Sequence, residues 1–293
     1  RSMITSRALA NGQIVFEQKA VGPSIYLDQW VWCELSEDDD LRKRFIRSAL
    51  SRNCCIMYSI ASLMELAQIS DQDQLRALAE VMDSLDFGFV EMDPSQVIAL
   101  EKQHESETTG VFNGRHPATD LDMFNCAIRR HYPLMPKMSA VLRDLKQEIP
   151  SRYKRMTDRL EESLTPMVER AKADSIVLAR AKANNKERSI RRPGPPYTED
   201  ILRTLNFFLV ANEKMKMSGN EWVDVFHLVI PVAYLEFVAL DKRWIHFIKN
   251  HLPLSPPNIA TVYGPGELES FIQGLDLGDR DGTPPASLAR TVS

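Results

Sequence analysis

Short apolar runs that alternate with helical stretches are the feature that most restricts the fold of this chain. Six runs have the length and composition of buried strands: QIVFEQ, SIYLD, CCIMYS, FGFVEM, YLEFVAL and NIATVYG. Helical patterns lie between or after most of them, in DDDLRKRFIRSALS, SLMELAQISDQDQLRALAEVMDSL, WVDVFHLVIPVAY, WIHFIKN and GELESFIQGL. Strands that alternate with helices favour βαβ units. The sequence therefore predicts an α/β fold with a central, mostly parallel sheet.

The middle of the chain departs from this alternation. From about Asp93 to Met217 there is little strand signal and a long helical pattern, which the three prolines and the glycine of RSIRRPGPPYTED then interrupt. We therefore predict a helical, basic insertion at residues 93–217 in an α/β domain formed by residues 1–92 and 218–275. The polar tail, residues 278–293, is expected to be disordered.

Composition excludes several classes of protein. No apolar run reaches the roughly 18 residues that span a bilayer, and the chain begins without the apolar segment of a signal peptide. The four cysteines have neither the CxxC spacing nor the neighbouring histidines of a zinc site. We therefore expect a cytoplasmic protein with reduced thiols and no membrane partner.

Charge is unevenly distributed, although the formal net charge is only −4. Residues 129–193 contain 17 Lys/Arg against 8 Asp/Glu, a balance of +9 that leaves −13 for the rest of the chain. RSIRRPGPPY, with Arg191 and Arg192, and SRYKRMTDR combine basic residues with a tyrosine, as surfaces that bind nucleic acid do. A solvated helical face with ion pairs four residues apart explains the same pattern, and both interpretations stay open.

Four acidic residues occupy positions where open parallel sheets bind ligands. Asp28 follows the strand run SIYL, and Asp241 follows EFVAL. Glu65 lies in the helical stretch after CCIMY, and Asp224 lies in the first turn of a helix that begins near Asn220. Because ligands bind at the carboxyl ends of parallel strands, we expect these carboxylates to meet there.

Such a cluster needs a counter-charge, because neighbouring carboxylates repel each other and burial disfavours each anion. Mg²⁺ or Mn²⁺, which prefer carboxylate oxygens and water, would supply it. Each acid also has a purely structural explanation: Asp28 could cap the following helix, and Asp224 could compensate a helix dipole. His227, one turn after Asp224, could be a hydrogen-bonded core residue, and Glu236 could point away from the cluster.

The order of these acids resembles that of the PIN-domain nucleases, in which an aspartate ends the first strand, a glutamate follows the second and further acids flank the fourth. IYLDQWVW, SIASLMELA and DVFHLVIPVAYLEFVALDKRW occupy those places, so the resemblance covers about residues 22–92 and 218–275. It implies a three-layer sandwich around the sheet. The chain departs from the family at Trp30, which replaces a small polar residue, and at Ala239 and Leu240, where a hydroxyl residue is usual.

The resemblance also implies a function and a site. Asp28, Glu65, Asp224 and Asp241 would be the catalytic, metal-binding residues, with His227 and Glu236 as auxiliary groups. The activity would be metal-dependent hydrolysis of phosphodiester bonds, on RNA rather than DNA, as in a toxin or an antiviral effector. Lys242 and Arg243 would hold a phosphate or else face solvent.

Partners and alternatives follow from the same resemblance. A homodimer and an inhibitor or regulatory partner are compatible with it. The alternatives are a DNA nuclease and a catalytically silent module that binds nucleic acid or protein. A phosphatase or phosphotransferase on another α/β fold is disfavoured, because the chain contains no glycine-rich phosphate-binding loop.

Overall fold

A computed structural model of the protein describes residues 3–8, 14–19, 22–106, 120, 123, 137–146, 150–187, 198–254 and 259–277. Strands β1 (Met3–Ala8) and β2 (Ile14–Lys19) form a separate antiparallel pair. The central sheet contains β3 (Ser24–Tyr26), β4 (Cys55–Tyr58), β5 (Asp86–Phe89), β6 (Phe237–Ala239) and β7 (Thr261–Tyr263). Its order is β5-β4-β3-β6-β7, and every neighbouring pair is parallel. The predicted parallel sheet is thus confirmed.

Helices make up most of the remaining described chain. In chain order they are α1 (Gln29–Glu37), α2 (Asp39–Ser51), α3 (Ile60–Leu66), α4 (Gln72–Ser84), α5 (Pro94–Ser106), α6 (Met138–Lys146), α7 (Pro150–Ala173), α8 (Ser175–Glu187), α9 (Thr198–Ala211), α10 (Gly219–Tyr234), α11 (Lys242–His251) and α12 (Leu268–Leu277). Within the described residues, no helix is both long enough and apolar enough to cross a membrane.

Apolar side chains on the two faces of the sheet form two separate cores. Ile25 packs on one face, and Tyr26, the next residue of β3, packs on the other. This alternation follows from the two-residue repeat of a strand. The first core includes side chains from α1, α2, α4, α6 and α12, and the second includes side chains from α5, α9, α10 and α11. The protein is therefore an α/β fold with helices on both faces of the sheet.

Most elements begin and end where the sequence indicates. All six apolar runs contain strands, whereas β1 was not predicted because MITSRA has little apolar pattern. The segment predicted as one helix at residues 62–85 is two, α3 and α4. The break follows from Asp71, whose side chain accepts hydrogen bonds from the N–H groups of Asp73 and Gln74 and so starts α4.

Helices of the middle segment pack directly on the rest of the molecule. The backbones of α7 and α10 meet closely at Gly219, where a Cβ atom would lie 2.4 Å from the carbonyl oxygen of Thr157. Nearby, the indole N–H of Trp222 donates to the hydroxyl of Thr165 at 2.9 Å. These contacts hold α7 against α10.

Candidate functional site

The strand order creates a crevice at the carboxyl ends of β3 and β6. From the central β3 the chain moves outward through β4 to β5, and it later returns to the other side of β3 with β6 and β7. Ligands in open α/β sheets bind where the order reverses in this way. Asp28 follows β3 and Asp241 follows β6, so both acids flank the crevice, as their positions in the sequence predict.

Asp28 also caps a helix, as its structural explanation proposed. Its side chain accepts a hydrogen bond from the N–H of Gln29 at 2.7 Å, at the start of α1. The backbone N–H of Asp241 also lies close enough to favour the Asp28 anion. Capping leaves the other carboxylate oxygen for the crevice, so the structural and the functional roles are compatible.

Trp30 joins the two strand ends. Its indole N–H donates to the carbonyl oxygen of Leu240 at 3.2 Å, across 210 residues of sequence. Trp30 and Leu240 are two of the positions at which the chain departs from the PIN-domain pattern. They contact each other, and the contact holds the loop after β3 against the loop after β6.

Helices α3 and α10 carry the other candidate residues. Capping boxes start both helices, formed by Ser59 with Ser62 in α3 and by Ser218 with Glu221 in α10. Ser218 is therefore the N-cap of α10, which begins at Gly219. Asp224 consequently lies in the second turn, beyond the reach of the helix-dipole explanation.

His227 lies one turn after Asp224, on the same side of α10. A ring nitrogen of His227 and carboxylate oxygens of Asp28 and Glu65 all lie within 4.8 Å of one another. His227 is 2% exposed, and its Nε2 atom has no hydrogen-bond partner in the structure. The burial agrees with a core histidine, but the structure shows no hydrogen bond to this nitrogen.

The composition of this compact group differs from the expected four carboxylates. It contains His227 in addition to Asp28 and Glu65, and neither Asp224 nor Asp241 belongs to it. Asp224 and Asp241 still lie near enough to raise the pKa values of both Asp28 and Glu65. They therefore form an outer pair beside an inner group of two carboxylates and one imidazole.

Burial and mutual repulsion make these anions unfavourable. Burial, then the charges of Asp224 and Asp241, raise the pKa of Asp28 from 3.8 to about 7, against the opposing hydrogen bond from Gln29. Burial and the charge of Asp28 raise the pKa of Glu65 from 4.5 to about 8.

Burial also disfavours the charged forms of Asp224 and His227, which raises the pKa of the acid and lowers the pKa of the imidazole. Burial and the charge of Asp241 raise the pKa of Asp224 from 3.8 to about 6. The indole N–H of Trp244 opposes this increase, although it does not reach Asp224 with normal hydrogen-bond geometry. Burial lowers the pKa of His227 to about 3, so the imidazole is neutral near pH 7. A cation at this place would relieve the repulsion between the acids and meet a neutral nitrogen.

Tyr153, from α7, completes the wall of the site. Its hydroxyl donates to Oε1 of Glu65 at 3.1 Å and lies 3.4 Å from Oδ1 of Asn220. Tyr153 belongs to SRYKRMTDR, a segment whose sequence suggests a surface that binds nucleic acid. No spacing in the sequence connects residues 65 and 153, so this contact depends on how α7 packs.

Glu236 does not belong to the site, contrary to its predicted auxiliary role. Its Oε2 accepts hydrogen bonds from both the backbone N–H, at 2.8 Å, and the hydroxyl of Ser24. Ser24 is the first residue of β3, and Glu236 directly precedes β6. Glu236 is therefore at the amino-terminal edge of the sheet, separated from Asp241 by about 16 Å of extended chain.

The basic residues predicted to bind nucleic acid are only partly described. Lys242 is exposed at the first residue of α11. Arg243 is also exposed, forms an ion pair with Glu221 and lies 5.9 Å from the ring centre of Trp244. Arg191 and Arg192 lie outside the described residues.

Comparison with known proteins adds no assignment. No protein-family model matches the chain, and no curated protein or solved structure is significantly similar to it. The site is therefore interpreted from its own geometry.

Proposed function

We propose that the protein is a metal-dependent nuclease that hydrolyses phosphodiester bonds, with RNA as the favoured substrate. One observation carries the proposal. Asp28, Glu65 and the unpartnered His227 converge within 4.8 Å where the strand order reverses, with two further carboxylates beside them. A divalent cation would offset the repulsion between the buried acids and give the imidazole nitrogen a partner, which supports the proposal.

The donor set fits Mg²⁺ or Mn²⁺. Asp28 and Glu65 would hold the ion through carboxylate oxygens, while Asp224 and Asp241 remain next to it. When bound, such an ion lowers the pKa of a water molecule and neutralises charge that develops on a phosphodiester. Asp241 is exposed and Asp224 is partly exposed, so these outer carboxylates face the approaching substrate and can orient a water molecule by accepting its hydrogen bonds.

Basic side chains beside the acidic crevice support a polyanionic substrate. Lys242 and Arg243 directly follow Asp241, and the exposed Lys154 is next to Tyr153. Residues 129–193 carry the charge balance of +9 described above. Such residues bind phosphates by releasing counterions, so affinity should fall as salt rises. The preference for RNA rests on the resemblance to PIN-domain nucleases.

The proposal is tested with end-labelled single-stranded RNA and DNA, incubated with the purified protein in Mn²⁺, Mg²⁺ or EDTA. We expect RNA cleavage that requires the metal and is lost in Asp28→Asn and Glu65→Gln. Glu236→Gln is the matched control, because it removes a carboxylate from the opposite edge of the sheet.

The outcomes separate the alternatives. Cleavage of DNA alone would identify a DNA nuclease. Full activity in EDTA or in Asp28→Asn would refute the site. Tight metal binding without cleavage of either polymer would leave the fold as a binding module.

A further inference from the structure

His227 is the one member of the inner group with no structural explanation. Asp28 caps α1, and Glu65 accepts a hydrogen bond from Tyr153. His227 is 2% exposed, and its Nε2 atom is without a partner in the structure. A buried polar atom without a hydrogen bond is unfavourable, and native proteins rarely retain one. The position of this side chain therefore points to a ligand that binds the nitrogen.

The surroundings of the imidazole suit a cation. The ring of Tyr26 packs against it edge-on, with ring centres 5.7 Å apart, and the Tyr26 hydroxyl makes a hydrogen bond with Ser59 at 3.0 Å. On the side of the crevice, carboxylate oxygens of Asp28 and Glu65 lie within 4.8 Å of a ring nitrogen. Two carboxylates and a neutral imidazole from three different elements form a partial coordination sphere.

We infer that His227 binds the metal ion directly through a ring nitrogen, and that this nitrogen makes the site select Mn²⁺ over Mg²⁺. The inference rests on the proposed metal site but goes beyond the four carboxylates expected from the sequence. It replaces an all-oxygen site with a mixed site of two carboxylates and one imidazole.

The selectivity follows from the ligand type. Mg²⁺ is small and hard, requires near-ideal octahedral oxygen coordination and retains its water molecules. Imidazole nitrogen suits transition metals, and the affinity of a site with nitrogen ligands increases from Mn²⁺ to Co²⁺. A nitrogen ligand therefore favours Mn²⁺, and Co²⁺ still more, over Mg²⁺. Replacement of the nitrogen should remove this preference while the carboxylates retain a weak, unselective affinity.

The experiment measures binding rather than cleavage. Full-length protein freed of metal is titrated with Mn²⁺, and the free ion is counted by electron paramagnetic resonance, with Mg²⁺ and Co²⁺ as competitors. His227→Phe keeps an aromatic ring of similar shape and removes both nitrogens. Tyr26→Phe is the matched control, because it alters the neighbouring buried ring without removing a ligand. Asp28→Asn reports on the site as a whole.

We expect His227→Phe to weaken Mn²⁺ binding by at least about tenfold, since loss of even an indirect partner of a metal ligand commonly weakens binding by about 10–100-fold. Mg²⁺ binding should change much less, so that the preference for Mn²⁺ disappears. Tyr26→Phe should retain the affinities of the wild type for both ions.

A second measurement needs no variant. Pulsed electron paramagnetic resonance of the wild-type Mn²⁺ complex should contain the modulation of a directly bound imidazole nitrogen. This readout remains valid even if His227→Phe fails to fold.

The outcomes distinguish this inference from the proposed function. Mn²⁺ binding that depends on Asp28 but shows no nitrogen modulation would overturn the role of His227 and leave the nuclease proposal intact. A nitrogen-bound, selective Mn²⁺ site in a protein that cleaves no nucleic acid would support the role of His227 and overturn the nuclease. No binding of Mn²⁺ at all would overturn both.

Discussion

Replacement of Asp28 by asparagine should stabilise the metal-free protein and abolish its stabilisation by metal. Asparagine can still cap α1 by accepting the N–H of Gln29, because Asn and Asp are comparable N-cap residues. The substitution therefore removes a charge and retains a hydrogen bond. Without a cation, that charge is buried among other acids and opposes folding.

The magnitude follows from the raised pKa. An increase from 3.8 to about 7 corresponds to about 4 kcal/mol at 1.36 kcal/mol per pH unit. Because Asp28 is partly exposed and water screens its charge, we expect about 1–3 kcal/mol in measurement. A carboxyl group whose pKa is raised by folding destabilises the folded protein as the pH increases from the pKa of the unfolded state through the pKa of the folded state. The gain in Asp28→Asn should therefore be complete at pH 8 and about a quarter as large at pH 4.5.

The assay is chemical unfolding at pH 4.5 and pH 8, each in EDTA and in Mn²⁺. Mn²⁺ at about 100 times its dissociation constant should stabilise the wild type by about 2.7 kcal/mol at pH 8, and Asp28→Asn should lose most of this effect. Asp71→Asn is the control, because Asp71 caps α4 from an exposed position and does not belong to the inner group. If Asp28→Asn is less stable than the wild type in EDTA at both pH values, the charge of Asp28 is already compensated in the metal-free protein and the reasoning fails.

Two further substitutions separate the function of the site from its scaffold. Tyr153→Phe removes the hydrogen bond that favours the Glu65 anion. Because metal ligands must be deprotonated, the pH of half-maximal Mn²⁺ binding should increase. One hydrogen bond of about 1 kcal/mol corresponds to an increase of about 0.5–1 pH unit. An unchanged or lowered midpoint would contradict this role. Glu236→Ala removes the acceptor at the other edge of the sheet and should lower the free energy of unfolding by about 1–3 kcal/mol. Its Mn²⁺ affinity should equal that of the wild type, and a clear loss of affinity would return Glu236 to the site.

The sequence predicts the sheet well because buried strands leave a strong local signal. Each apolar run that contains a strand is flanked by polar or turn residues, so its position needs no tertiary information. Asp28 and Asp241 could be predicted for the same reason, since each follows such a run directly. The sheet topology then brings together the carboxyl ends of β3 and β6, which lie more than 200 residues apart in the sequence.

The errors concern properties that no local pattern contains. The alternation around Glu236 indicates which face of the strand the side chain occupies but not which end of the sheet it lies near. His227 looks like an ordinary core residue because sequence records burial but not whether a nitrogen has a hydrogen-bond partner. Tyr153 reaches Glu65 through the packing of α7, which also approaches α10 closely at Gly219, and this packing joins distant segments.

The pairing of β6 with β3, the first strand of the parallel sheet, affects when the site can form during folding. Contacts between segments this distant in the chain form slowly, because a large loop must close before they are gained. During synthesis, Asp28 and Glu65 leave the ribosome long before His227 and Asp241. A nascent chain therefore carries only two of the three residues of the inner group, and we expect the newly made protein to complete this group at a late stage of folding.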